Sequence, residues 1–361
     1  MSRYWNERTR AILPYTPGEQ PRDQKYIKIN TNENPYPPSP RALEAMRGAI
    51  GEGLRLYPRP ECEALREAVA REEGLPGIDH VYMGNGSDEL LAWAFEAFFE
   101  PGRQVWFADI TYSFYPVYCG LFGLDYREIP LREDFRLEPA DYAGSPGGVV
   151  LANPNAPTGL MLDNANIEAV LAANPDVVVL VDEAYAAFSG QTAAGLIDKY
   201  PNLIIARTLS KSHALAGLRV GYCLGQPPLV EAIRRVKNSY NSYTLDAVAQ
   251  AGALAAIEDA AYARAQCTRV IATRERIRDA LLMRGFECTD SRANFLFVRY
   301  PGVPGAWISD ALRRRGVLVR HFGKNPRTAD WLRVSIGSDA DMDRFLEAVD
   351  GALREYGIGG L

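Results

Sequence analysis

A chain of 361 residues, 47% hydrophobic and 24% charged, has the balance of an ordinary globular protein with room for two buried cores. Its net charge of −5 excludes the basic footprint of a nucleic-acid or anionic-membrane binder. Five dispersed cysteines without CxxC spacing, with only three histidines, exclude a disulfide framework and a metal cluster. The N-terminal stretch lacks an apolar signal core and no apolar run reaches 18 residues, so a cytoplasmic, soluble protein is expected.

Residues 1–40 are polar and rich in proline, with little helix or strand of their own. Tyr4, Trp5, Ile12, Leu13 and Tyr15, with a strand-like run at Tyr26–Ile29, are apolar anchors expected to lay this segment as an arm on the rest of the chain. Helices are expected at Arg41–Ile50, opened by Ser39-Pro40, and at Glu61–Glu73. Tyr57 lies between them and, by its neighbours alone, packs under a loop. Next, Val81–Met83 reads as a strand running into Gly84-Asn85-Gly86 and a helix start at Ser87-Asp88-Glu89. Free N–H groups there serve either as an anion site or as an ordinary capped helix start.

Strands and helices then alternate. Strands are expected at Gln104–Ala108, Tyr126–Ile129, Gly148–Ala152, Val177–Val181, Leu203–Ala206 and Val220–Leu224. Helices are expected near Leu90–Phe99, Tyr112–Phe122, Ile167–Ala173 and Leu229–Val236. Short apolar strands between helices argue for a mostly parallel sheet covered on both faces, with ligands outside the strands' carboxyl ends. Thr244–Arg284 is helical but too long for one compact helix. Beyond it, strands at Asn294–Tyr300, Val317–Arg320 and Trp331–Ile336 and helices at Ala306–Arg315 and Asp341–Leu353 suggest a small α+β layer.

The chemistry gathers at the strand ends. Lys211 follows Leu203–Ala206 among small residues (Ser210, Ser212, Ala214, Ala216 and Gly217) that leave room for a flat ligand, and Arg219 comes eight residues later. A lysine amine condenses with an aldehyde, and an arginine with small hydroxyls holds a phosphate; these are the needs of pyridoxal phosphate. Val177–Val181 ends in Asp182, which serves either to cap a following helix or to pair a protonated pyridine nitrogen, and Tyr185 can reach a ring hydroxyl. The 29-residue step from Asp182 to Lys211 has room for a helix and one further strand, setting both side chains at one sheet edge. Asn153-Pro154-Asn155-Ala156-Pro157 is a tight turn able to aim an asparagine amide at a ligand, and Tyr112 offers a face for stacking.

These motifs resemble those of the fold-type I pyridoxal-phosphate-dependent aminotransferases, and within them most closely the histidinol-phosphate aminotransferases. The resemblance runs from Thr31-Asn32-Glu33-Asn34-Pro35-Tyr36 to Leu332-Arg333-Val334-Ser335-Ile336-Gly337. It implies an α/β fold: an arm over 1–40, a large cofactor-binding domain over 41–264 with a mostly parallel sheet, and a small α+β domain over 265–361. Lys211 would be the cofactor-linked lysine and proton carrier, made neutral by burial and by Arg219 nearby. Asp182 would pair the ring nitrogen, Tyr185 and an asparagine the ring hydroxyl, and Tyr112 would stack on the ring. Ser210, Arg219 and the backbone at Ser87, Asp88 and Glu89 would hold the cofactor phosphate, with Tyr57 reaching that of the partner subunit in a homodimer. Arg333 would bind the substrate carboxylate or its replacement, and Arg320 with Tyr15 the substrate phosphate. The family's usual Asn-Asn-Pro-Thr-Gly reads Asn155-Ala156-Pro157-Thr158-Gly159 here, so the amide role is assigned to Asn155. His213, two residues past the lysine, is expected to be a packed side chain.

The implied reaction is transamination between histidinol phosphate and 2-oxoglutarate, giving imidazole-acetol phosphate and glutamate. A phosphothreonine decarboxylase or an aromatic aminotransferase would share every cofactor motif. A nucleotide-binding module using the Gly84–Glu89 turn lacks both the P-loop pattern and the Rossmann glycine spacing.

Overall fold

In the computed structural model, residues 2–21 and 24–358 are described. Met1, Arg22 and Asp23 of the expected arm, and 359–361 at the other end, lie outside the described residues. A seven-stranded sheet carries the strands Val81–Gly84, Gly221–Gly225, Leu203–Thr208, Val179–Asp182, Gly148–Ala152, Val105–Ala108 and Tyr126–Ile129, in that spatial order. All neighbours from Leu203–Thr208 onward pair in parallel, whereas Gly221–Gly225 runs against both of its neighbours. The mostly parallel sheet is therefore the one expected.

Alternation along these strands sends side chains into two separate cores, one on each face. Val149, Leu151, Val179, Val181, Leu203 and Ile205 pack on one side. Val150, Leu180, Ile204 and Ala206 pack on the other, against Phe95, Phe107 and Tyr115. The strand Val179–Asp182 is buried throughout, so Asp182, in step with Leu180, ends on the face that Tyr115 covers.

The long helical stretch divides as its length requires. Ala247–Glu258 and Ala260–Met283 are separate helices that break at Asp259, and the expected boundary at 264/265 falls inside the second of them. A four-stranded antiparallel sheet of Arg320–His321, Leu332–Ser335, Phe295–Arg299 and Glu287–Cys288 lies beyond, with the helices Gly305–Arg314 and Asp339–Glu355. Two expectations need correction. Val317–Arg320 is not one strand: Val317–Leu318 pairs with Ile27–Lys28 of the arm, and Arg320–His321 joins the other sheet, because the chain switches partners at Val319. Nor does an α-helix separate Asp182 from Leu203; short 3₁₀ turns at Ala186–Phe188 and Ala193–Leu196 fill the gap.

Of the apolar anchors expected to seat the arm, Tyr15 and the run around Ile27 do so, with Ile29 buried in a core. Tyr4, Trp5 and Leu13 are exposed. Among the contacts that seat it are the Arg8 Nε–H to the Leu121 carbonyl at 2.8 Å, the stack of Tyr15 on Phe114 at 4.6 Å, and the strand Ile27–Lys28.

Candidate active site

A cavity of about 340 Å³ opens at the carboxyl ends of the parallel strands, lined from the arm, the large sheet and the small sheet together. Lys211 sits in a single helical turn, Leu209–Ser212, begun where the Thr208 hydroxyl accepts from the Ser210 N–H at 3.1 Å. Its amine donates to the Thr31 carbonyl at 3.2 Å, and the Asn34 amide holds its own carbonyl at 2.8 Å. Burial, and after it the positive charge of Arg333, brings the amine down to about 8; Arg219, the neighbour expected to do this, contributes least.

Asp182 is buried on the adjoining strand, paired in register with Ala206. One carboxylate oxygen accepts from the Tyr115 hydroxyl at 2.9 Å and the other from the Ala184 N–H at 3.2 Å. Burial raises the carboxyl to about 6, against the pull of these two donors. The hydroxyl of Tyr185, raised in pKa by burial, accepts from the Asn32 amide at 2.9 Å, and its ring meets Phe295 edge-on.

At one end of the cavity the 13-residue helix Gly86–Phe98 presents its first turn, with Ser87 and Asp88 beside Ser210 and Arg219. Arg219 stands in the left-handed region (φ 56°) and reaches the Asp88 carboxylate at 3.3 Å and the Ser210 hydroxyl at 3.4 Å. Gly86 is required here: at φ 81° a Cβ would come within 2.5 Å of the Arg219 guanidinium. Tyr112 lies over the cavity with its hydroxyl donated to Asp88 at 2.8 Å.

At the other end Arg320 and Arg333 stand directly opposite each other on paired strands, so both side chains share one face. Arg333 donates to the Asn30 carbonyl at 3.1 Å, but its buried Nε–H has no partner among the described residues. A buried, unpaired guanidinium N–H is a donor awaiting an anion. Tyr15 and Phe322 close this end.

Eleven of the residues singled out thus converge on one cavity: Tyr15, Ser87, Asp88, Tyr112, Asp182, Tyr185, Ser210, Lys211, Arg219, Arg320 and Arg333. Asn155 does not. Its amide donates to the Ile110 carbonyl and the Thr158 hydroxyl, both at 2.9 Å, while its oxygen accepts from Thr111 at 2.7 Å, which turns the side chain away. Asn153 is likewise used up on Leu162, and the methyl of Ala156 faces the cavity instead. The Glu89 carboxylate also points elsewhere, accepting from the Asn85 N–H at 2.6 Å as a helix cap. Tyr57 is exposed, stacked on Tyr243 at 4.5 Å, and lines nothing in its own chain's cavity. His213 faces a second cavity, its ring on the Ser212 hydroxyl at 2.9 Å and its pKa lowered to about 4 by burial.

Two cavity neighbours were missed in the sequence. Asn32, buried in the left-handed region at φ 55°, bridges Tyr185 to Ser335; a polar residue in a proline-rich arm carries no local signal of this. Tyr115 belongs to the aromatic stretch Thr111–Tyr115 that the sequence offers for stacking, but its buried place on Asp182 is not readable from that stretch.

Residues 24–349 match the model of the aminotransferase class I and II family. The chain belongs to that family. Among its relatives, histidinol-phosphate aminotransferase 2 of Thiobacillus denitrificans is 53% identical over 96% of this chain and 97% of its own. The histidinol-phosphate aminotransferase of Marinomonas is also 53% identical, over 95% and 97%. Among solved structures, the histidinol-phosphate aminotransferase of Sinorhizobium meliloti in complex with pyridoxal-5'-phosphate superimposes with a TM-score of 0.83 at 28% identity, over 91% of each chain. The aspartate aminotransferase of Thermus thermophilus, 20–21% identical, shares the fold. No helix among the described residues is long and apolar enough to cross a membrane.

Proposed function

We propose that this aminotransferase binds pyridoxal phosphate in the cavity and transfers an amino group between L-histidinol phosphate and 2-oxoglutarate. The observation that carries the substrate assignment is the facing pair Arg320 and Arg333, the Nε–H of Arg333 without a partner among the described residues, at the end of the cavity away from Arg219. Relatives near half identity over almost the whole chain bear the same substrate in their names.

The residues fit the cofactor. Ser87, Ser210, Arg219 and the N–H groups of the helix Gly86–Phe98 would hold its phosphate, the helix end and the guanidinium both favouring negative charge. Asp182 would hold the ring nitrogen protonated, Tyr112 would cover the ring, and Tyr185 would meet its hydroxyl. Once bound, the cofactor supplies an aldehyde for amines and an electron-accepting ring. Lys211, its amine already lowered toward neutrality, would carry the proton at Nζ between substrate and cofactor carbons. Arg320, with Tyr15, would take the phosphate of histidinol phosphate, and Arg333 the carboxylate of glutamate. The arm and Phe322 would keep water from the reacting atoms.

We further infer a cytoplasmic homodimer. Ile50, Leu54, Leu56, Tyr57 and Tyr240 leave an exposed apolar surface around Tyr57, which suits burial against a second copy. Tyr57 would then reach the neighbouring cofactor phosphate. We also propose the division into arm, large and small domains at residues 40/41 and 264/265; the seven-stranded sheet lies wholly in the second segment and the four-stranded sheet wholly in the third, which supports it.

The test is a donor panel on purified protein. Arg320→Ala should lose about 2–5 kcal/mol of kcat/KM for histidinol phosphate and much less for phenylalanine. Equal losses on both donors would move the reading toward an aromatic aminotransferase.

A further inference from the structure

Resting on the reading of the cavity as a pyridoxal-phosphate site, we propose that Tyr115 is a positioning residue of the reaction. Its hydroxyl, fixed beneath the sheet, aims the Asp182 carboxylate at the cofactor's ring nitrogen and keeps that carboxylate ionised.

Tyr115 is fully buried and lines no part of the cavity, so it acts only through what it touches. Its ring is held from three sides: Phe95 at 6.1 Å, Phe107 at 5.7 Å, and Tyr112 edge-on at 5.6 Å. Its N–H donates to the Tyr112 carbonyl at 3.2 Å, tying the two tyrosines into one turn. That turn serves the cavity twice, with Tyr112 above it and the Tyr115 hydroxyl on Asp182 behind it. Packing alone would be satisfied by phenylalanine. The hydroxyl makes its 2.9 Å hydrogen bond with Asp182.

The carboxylate needs this donor. It ends a buried strand, and the charges near it, Asp88 on the helix Gly86–Phe98 and Glu183 next in the chain, both oppose its ionisation. Glu183 is itself held by Arg207 at 2.7 Å, and Asp88 by Arg219 and Tyr112. The Lys211 amine lines the same cavity. Against burial stand the Tyr115 O–H and the Ala184 N–H, and the phenol is the shorter of the two bonds. Burial beside Asp182 raises the phenol well above its ordinary pKa, so it remains a donor throughout the working range.

The experiment uses the holoenzyme. Tyr115→Phe keeps the ring and removes the donor. Its affinity for pyridoxal phosphate should fall by about tenfold to a hundredfold, as for a lost hydrogen bond to a charged group. Turnover should fall by a similar factor, with KM for the amino donor changed by less than about twofold. The acid limb of the kcat profile should move to higher pH, because Asp182 without its donor protonates sooner. In an Asp182→Asn background the same change should add little, since the two groups act as a unit. A site-specifically incorporated trifluorotyrosine at 115, which keeps the shape and strengthens the donor, should move the acid limb to lower pH, and it decides the matter if Tyr115→Phe fails to fold. Wild-type cofactor affinity together with an unmoved acid limb, in a folded variant of either kind, would overturn the proposal. A wild-type protein that binds no pyridoxal phosphate would instead overturn the reading of the cavity itself.

Discussion

Burial shifts Lys211 and Asp182 in opposite directions, the amine down to about 8 and the carboxyl up to about 6. Both shifts favour the neutral form, and both therefore cost the empty protein stability near neutral pH. The lysine's ordinary pKa is 10.5. As pH falls from there to about 8, the unfolded chain takes up a proton that the folded one refuses. The cost is thus absent above pH 10.5 and fully present below about 8. Lys211→Met should accordingly raise the Tm of the cofactor-free protein below pH 8, with the gain fading as pH approaches 10.5. The same variant should lose turnover by at least about 10²–10⁴-fold. Calorimetry of the cofactor-free variant across this range, beside its turnover, checks both signs. A variant less stable than wild type at pH 7 would contradict this account of the lysine's burial. These two residues were legible in the sequence because each follows an unbroken apolar strand, and strand ends of a parallel sheet share an edge. Asn155 was not. The direction of an amide within a turn depends on carbonyls such as that of Ile110, which come from a different loop.

At the scale of elements, the loop carrying Tyr57 and the turn carrying Tyr243 form one exposed stacked pair. Lys237 ties both segments together: it is buried, and its amine donates to the Pro60 carbonyl at 3.0 Å and the Ser242 carbonyl at 2.7 Å. A buried lysine that donates to both loops fixes the geometry of the exposed pair. If the pair packs on the partner's cofactor site, as proposed, mixing an inactive Tyr57 variant with an inactive Lys211 variant should restore activity. One site of the mixed dimer then carries both defects and the other neither. Absence of recovery after demonstrated subunit exchange would count against a shared site. Most elements were readable from apolar periodicity, but the break at Val319 was not. Val317, Leu318, Val319 and Arg320 form an uninterrupted strand pattern, and only the competing partners Ile27–Lys28 and Leu332–Ser335 divide it between two sheets.

For the molecule as a whole, the cavity joins parts that have separate cores. Lys211 and Asp182 belong to the large sheet, Arg320 and Arg333 to the small one, and Thr31 and Asn32 to the arm between them. Such convergence was only partly readable, because residues as far apart as Asn32 and Ser335 meet by tertiary packing and not by any local pattern.

The opposed arginines have a dynamic consequence. Two like charges facing each other across a two-residue strand pairing push that edge of the small sheet apart when nothing lies between them. A doubly charged phosphate held by Arg320, as proposed, would offset that repulsion, so the edge should open less often once it is bound. Amide hydrogen exchange at Arg320, His321 and Leu332–Ser335 should then slow when histidinol phosphate is added to the cofactor-loaded protein. Exchange in the interior strand Val179–Asp182 should change far less. Equal slowing in both places would mean that the ligand tightens the whole molecule instead of this one edge.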